Sequence, residues 1–467
     1  MTRSDLLLIS CYELGHQPMG LALASAFLER AGYGVDTIDI AVEPLHRQKV
    51  ERARFVGISV PMHTALRLGI GVAEEVRRLN QACHICFYGL YASLNAGFLL
   101  ERVADSVIGG EYEEALVGLV EQVATRAAEA DKTVRHPPRG VGEERSSFSV
   151  LARLAFPVPL RKGLRGLDHY AALERNGERH RAGHVEATRG CLHLCLHCPI
   201  PPVYQGRFFV VPRETVLQDI RQLVAAGATH ITFGDPDFLN GPGHSLPLVR
   251  AMHEESPELT FDFTAKIGHL VKYGHLLREL AGLGCIFIVS AVESLRGEVL
   301  EQLEKGHTRE DVTEVLMLLR NAGIAFRPTW VPFTPWTRLE DYLEMLEWIA
   351  ENSLVTHVDP VQYGIRLLVP PGSSLLDRPG IQPFVGPLAP DALTYRWTHP
   401  DPRMEALQRD VSRLVKRDAD GHRPATETFE RVRALAWEVA GPRPPRRAVT
   451  AKVIHKSPPR LTESWFC

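Results

Sequence analysis

Three cysteines, Cys191, Cys195 and Cys198, stand in the run RGCLHLCLHCP at C-x3-C-x2-C spacing, directly after a predicted strand. Three thiolates on one short loop can ligate three irons of a [4Fe–4S] cluster and leave the fourth iron without a protein ligand. An iron open in this way can chelate the amino and carboxylate groups of S-adenosylmethionine and deliver one electron to its sulfonium. Gly190 lets backbone approach such a cluster closely. Structural zinc is the competing use of the loop, with His193 or His197 as fourth ligand. Cys83 and Cys86 also form a C-x2-C, but they fall on a predicted central strand, where alternate side chains point to opposite faces, so they are expected to be core thiols.

The elements that must position this loop follow from hydrophobic periodicity. Over the first ~125 residues, short β-rich runs alternate with amphipathic helical stretches, the pattern of a parallel sheet with crossover helices. Strands are predicted at Leu6–Ser10, Val35–Ile40, Phe55–Val60, His84–Gly89 and Ser106–Gly109, and helices at Gly20–Ala31 and Ala65–Leu79. From about Ala124 to Ser147 the composition turns to charge, Pro and Gly, as in a linker. A second βα series runs through HVEATRG, THITFGD, TFDFTAKI, CIFIVSAVES, AFRPTWVPF and HVDPVQYGI, with helices at Pro212–Ala226 and Arg309–Ala322 among them. Six such units make a partial (β/α)6 barrel with its site at the carboxyl ends of the strands. Two further helices are predicted near Asp401–Arg417 and Thr426–Val439. The fold class is therefore α/β: residues 1–125 a Rossmann-like doubly wound domain, 126–180 a linker, 181–375 the barrel and 376–467 a C-terminal extension.

Composition narrows the partners. Lys+Arg 53 against Asp+Glu 56 leaves a formal charge of −3, which supplies no field to collect nucleic acid or an anionic membrane. The basic runs LRKGLRG and GPRPPRRAV are the only local candidates, and nucleic acid is not expected as a partner. No apolar run approaches the ~18 residues of a membrane span, and MTRSDLLLIS lacks the build of an export signal. Eight cysteines in 467 residues, three of them crowded together, fit metal chemistry in a reducing cytoplasm better than a disulfide framework.

With these motifs in place, the chain resembles the radical SAM superfamily. The resemblance implies a [4Fe–4S] cluster on Cys191, Cys195 and Cys198, and S-adenosylmethionine contacts at Gly234 and Asp235 in FGDPDF (methionyl amino group), Glu293 in SAVES (ribose) and Arg327 (methionyl carboxylate). The residues allow plainer roles: Asp235 a turn residue, Glu293 a helix cap, Arg327 half of an ion pair. The first domain resembles a cobalamin-binding domain through HQPMGLALASAFLERAGYGV, GISVPM, FYGLYA and IGGEYEEAL, which implies corrin contacts at Ser59, Gly89 and Gly110. The D-x-H-x-x-G signature for a lower-face histidine is absent, although His16 lies in the first loop. Either a corrin binds without that signature or the domain has kept the fold and lost the cofactor.

Across nearly the whole chain the strings HCPIPPVYQGRF, LEKGHT, RPTWVPFTPWT, PVQYGIRLLVPPGSSLL and LTESWFC resemble the CUAEP/CCAEP-tail radical SAM proteins. That resemblance implies a tail in which selenocysteine or cysteine and then Ala-Glu-Pro follow Cys467, a selenoprotein in the first case, giving Cys467 a catalytic soft-ligand or redox role; the plainer reading is an ordinary exposed terminal cysteine. The function expected is reductive cleavage of S-adenosylmethionine to start radical chemistry on a small-molecule substrate, with an electron donor such as flavodoxin or ferredoxin. The alternatives are cobalamin-dependent radical methyl transfer, aminocarboxypropyl transfer to a thiophilic atom, and, from another class, a non-catalytic Fe–S redox or metal sensor. His307, Trp330, Phe333 and Trp336 are candidates for lining an aromatic cavity, or for packing.

Overall fold

The computed structural model describes residues 5–132, 146–441 and 457–463. Cys467 lies outside them.

The first domain is a parallel sheet in the order β2-β1-β3-β4-β5-β6, with β1 Leu6–Ser10, β2 Asp36–Asp39, β3 Phe55–Ser59, β4 His84–Tyr88, β5 Ser106–Gly110 and β6 Ser146–Val150. The central strands are apolar throughout (LLLIS, FVGIS) because helices cover both faces. Leu7, Val56 and Ile85 pack on one face, while Leu6, Leu8 and Tyr88 pack on the other. Cys83 and Cys86 are buried and belong to these two opposite cores. The first helix, Met19–Arg30, starts where the Glu13 carboxylate accepts from the Met19 and Gly20 amides. That carboxylate meets orphan helix donors.

β6 and β7 (Ala172–Arg175) depart from the expected linker at 126–180. β6 pairs in parallel with β5, and Gly110 meets it so closely that a Cβ there would lie 2.0 Å from the Val150 carbonyl oxygen. A short polar strand at a sheet edge has no apolar run to announce it; backbone pairing with β5 makes it a strand.

The second domain curls a seven-stranded sheet in the order β14-β13-β12-β11-β8-β7-β17. Its parallel strands are β8 Glu178–Val185, β11 His230–Phe233, β12 Thr260–Thr264, β13 Cys285–Glu293 and β14 Ala325–Trp330. β9 Thr188–Gly190 and β10 Phe208–Val210 form a small antiparallel ladder flanking the cysteine loop. β15 Val385–Ala389 and β16 Thr394–Trp397 make a separate hairpin, and β17 Arg460–Leu461 pairs with β7. The sixth barrel strand expected at HVDPVQYGI does not form. The segment makes 3-10 turns at Val355–His357 and Pro360–Gly364, and the Gln362 side chain accepts from the Trp330 amide where a strand carbonyl would. Pro360 lacks the N–H that a ladder needs. The helices Pro402–Asp420 and Ala425–Ala440 pack against this segment. Among the described residues no helix is long and apolar enough to cross a membrane.

The two domains meet through the carboxyl ends of their strands. Arg189, in β9, is buried and donates to Glu113 Oε1 at 2.6 Å and to Glu186 Oε2 at 2.9 Å, with Glu111 Oε2 at 3.6 Å. Glu111 also accepts from the Tyr204 hydroxyl at 2.9 Å. Arg161 reaches Asp219, the His184 carbonyl and, across the boundary, Gln17 Oε1 at 2.7 Å. Burial pushes the Glu111 carboxyl up to about 7, with Arg189 opposing it. Replacing Arg189 by Met therefore strands Glu111 and Glu113, at an expected cost of about 3–5 kcal/mol. Without the guanidinium both carboxyls have folded pKa values above their unfolded ~4.3. The folded state then binds more protons, so stability falls as pH rises. Urea unfolding of R189M should show a deficit that widens from pH 5 to pH 8; a deficit flat in pH would mean the contact is not ionic.

Candidate functional site

The cysteine loop is pinned at several points. The Cys191 amide donates to the Arg207 carbonyl at 3.1 Å, the Leu196 amide to the Leu303 carbonyl at 3.1 Å and the Cys198 amide to the Cys195 carbonyl at 3.2 Å. Gly190 adopts φ +73°, and a Cβ there would lie 2.4 Å from the Arg207 carbonyl oxygen, so glycine is required where the chain turns into the loop. Asn240 Nδ2 donates to Cys191 Sγ at 3.6 Å. Burial pushes the Cys198 thiol up to about 12, with Cys195 and Cys191 adding to the shift and Lys305 opposing it. Cys191 and Cys195 are buried and Cys198 is half-buried, and together they are a soft donor set that needs a multiply charged centre to be ionised together. That fits an iron–sulfur cluster.

Glu293 ends β13 beside this loop. Its φ of +64° is left-handed, and the β13–β14 pairing shifts register between Ala291 and Glu293. A non-glycine residue pays conformational energy for this conformation, and such strain collects at functional sites. The carboxylate accepts from His197 Nε2 at 3.1 Å and Lys305 Nζ at 3.2 Å. Burial would raise the Glu293 carboxyl, but Lys305 and His197 override it and hold it at about 2. Lys305 is itself buried; burial disfavours its charge, and Glu293 with Cys195 and Cys198 more than offsets that. Its signal lay in the string LEKGHT, where composition alone gives no reason to choose it.

The other candidates are placed differently. Gly234 is exposed at the end of β11, and a Cβ there would lie 2.1 Å from His184 Nε2, so only glycine fits beside that ring. Asp235 is buried and accepts from the Ala187 amide at 3.0 Å and from the Thr188 hydroxyl, with burial raising it to about 7. It positions the strand leading into the cysteines. Arg327 pairs with Asp359 at 2.8 Å and lies opposite Val289, four residues before Glu293 on β13. Because Glu293 pairs with Trp330, three residues beyond Arg327 on β14, the spacing at ~3.3 Å per residue is about 10 Å, and the two side chains are not neighbours. Trp330, Phe333 and Trp336 are buried in hydrophobic clusters, and His307 Nε2 bonds the Val292 carbonyl.

In the first domain, His16 is buried and stacks on His184 of the barrel, with ring centroids 4.5 Å apart and planes 14° from parallel. Gly89 (φ +108°) and Gly110 (φ +70°) are closed by the backbones of Val60 and Val150 respectively, and Ser59 Oγ fills the space beside Gly20. His16 and Ser59 are thus engaged with the protein itself, and neither Gly89 nor Gly110 has room for a side chain.

A domain match to the "Radical SAM superfamily" covers residues 185–352, and one to the "B12 binding domain" covers residues 6–120. The chain thus carries a radical SAM domain and, N-terminal to it, a B12-binding domain. Such a domain implies a [4Fe–4S] cluster and S-adenosylmethionine, and the first domain supports cobalamin. Hopanoid C-3 methylase of Methylococcus capsulatus is 22% identical over 355 residues, covering 73% of this chain and 66% of that protein. The chain thus spans just under two thirds of that curated relative. The fold is similar to the radical S-adenosylmethionine methyltransferase TsrM from Kitasatospora setae with cobalamin and a [4Fe–4S] cluster bound (TM-score 0.57, 19% identity, 75% of this chain and 73% of that one). It is also similar to the cobalamin-dependent S-adenosylmethionine radical enzyme OxsB with aqua-cobalamin bound (TM-score 0.65, 14% identity, 87% and 66%).

The Lys305–Glu293 pair can be tested by a double-mutant cycle. K305M leaves a buried carboxylate with His197 alone and should cost about 3–5 kcal/mol in urea unfolding near neutral pH. E293Q/K305M should be more stable than K305M, because the stranded charge has gone. Additive losses would show that the two groups do not interact.

Proposed function

We propose that this chain is an enzyme that holds a [4Fe–4S] cluster on Cys191, Cys195 and Cys198 and uses S-adenosylmethionine for radical chemistry on a small-molecule substrate. The single observation that supports this most is the meeting of the three-thiol loop with the ionised, strained Glu293 at the carboxyl ends of the barrel strands. When bound, the cluster supplies one electron to the sulfonium. The chain's own residues do the rest. Gly234 leaves the edge of β11 bare for the methionyl group, and Glu293 offers a carboxylate acceptor to a ribose diol. Lys305 and His197 hold that carboxylate charged and in place. Arg189 and Asp235 fix the strand from which the loop departs, and the first domain covers the opening and keeps water from it. Cytoplasmic location and a flavodoxin- or ferredoxin-type electron donor belong to the same proposal.

Methyl transfer is the reaction class favoured by the B12-binding domain and by the names of the relatives. Cobalamin would lie between the facing strand ends, where His16 stacks on His184 and the glycines Gly89 and Gly110 carry no side chain.

Anaerobically reconstituted protein with dithionite and S-adenosylmethionine should release 5′-deoxyadenosine, accompanied by S-adenosylhomocysteine if methyl transfer operates. Variants C191A, C195A and C198A should each lose cluster iron and fall to background turnover, and E293Q should raise the KM for S-adenosylmethionine at least tenfold with iron retained. Methylthioadenosine as the sole product would instead indicate aminocarboxypropyl transfer. No nucleoside product from protein with an intact cluster would sink the enzymatic reading.

A further inference from the structure

The loops after β9, β11 and β12 bring together a second group of ligand-type side chains that the chemistry above leaves unused. His193 lies between Cys191 and Cys195, Asp237 follows β11, and His269 sits in the helix Ile267–Lys272 after β12. One ligand atom from each lies within 4.8 Å of the other two. Asp237 is buried, and its two oxygens are differently engaged. Oδ1 accepts from the Leu239 amide at 3.0 Å, while Oδ2 lies 3.1 Å from His193 Nε2 and 2.7 Å from His269 Nδ1. The last of these is close without being aligned, because His269 Nδ1 is buried and has no hydrogen-bond partner. Among the described residues no Lys or Arg pairs with Asp237.

Two imidazole nitrogens and one carboxylate oxygen on three separate elements are a donor set suited to divalent first-row ions, and they leave positions open. Metal–nitrogen and metal–oxygen bonds of about 2.0–2.2 Å at near right angles put neighbouring ligand atoms about 3 Å apart. The separations of 3.1 and 2.7 Å bracket that value. The His193 and His269 side chains are 23% and 15% exposed, which leaves a path for water or a substrate oxygen to complete the shell.

We propose that His193, Asp237 and His269 bind a single divalent first-row transition-metal ion, of the Zn2+ or Fe2+ type, separate from the cysteine centre. Such an ion ties the cysteine loop to the loops after β11 and β12 and presents open coordination positions beside the cluster. The competing arrangement is a metal-free hydrogen-bonded triad.

Full-length protein with its cluster reconstituted anaerobically is equilibrated with micromolar Zn2+, freed of unbound ion and analysed for metals. It should retain about one zinc per chain beside about four irons. H269A and D237N should each retain zinc at least tenfold more weakly with iron unchanged. With Co2+ as probe, X-ray absorption at the cobalt edge of the same wild-type protein, which does not see the cluster iron, should show a nitrogen and oxygen shell and no sulfur shell, a measurement that needs no variant to fold. Wild type without zinc, variants that hold zinc as wild type does, or a sulfur shell around cobalt would each overturn the proposal. The cluster reading would be unaffected, since cluster iron decides it independently.

Discussion

Everything near the cysteines depends on charge held out of water where two sheets face each other by their carboxyl edges. Open α/β sheets bind ligands at those edges, and here two such edges face each other across Arg189. The cost is desolvation of the groups between them. Arg189 meets that cost for Glu113, Glu111 and Glu186 at once, one residue before the glycine that turns into the cysteine loop. The same guanidinium lies over the rings of Tyr112 and Phe156. Domain docking and loop geometry are therefore one interaction.

The same logic recurs deeper in the barrel. Glu293 and Lys305 neutralise each other within the set of buried groups around the sulfurs, so a charged acceptor survives where burial alone would protonate it. The strained backbone at Glu293 is compatible with this, because two fixed donors, Lys305 and His197, define where the carboxylate must go. Asp235 shows the opposite outcome. With amide and hydroxyl donors but no cation, burial prevails and its carboxyl rises.

Much of this was legible in the sequence wherever the signal is local. Apolar periodicity predicts β1–β5 and four of the five parallel barrel strands to within a few residues, whereas HVEATRG meets β8 only at His184 and Val185 and runs on into β9; C-x3-C-x2-C marks the loop because thiolate spacing is itself the chemistry. Features set by long-range pairing were not legible. β6 is polar and is a strand only because β5 offers its edge, while HVDPVQYGI is β-rich and is not a strand because Pro360 and the Gln362 side chain interrupt the ladder. Lys305, Asp237 and His269 become meaningful only through partners 12 to 44 residues away. Arg327 has the right type for an anion partner, yet Asp359 claims it.

The strand β6 also bears on where the first domain ends. The B12-binding match stops at residue 120, but the sheet does not close there. A fragment cut at that boundary would bare the whole of β5 as an edge, with unpaired amides and carbonyls inviting another chain to add a strand. It would also remove the carbonyl against which Gly110 is packed. The smallest autonomous piece of this domain therefore reaches Val150, and a shorter one would be expected to associate with itself.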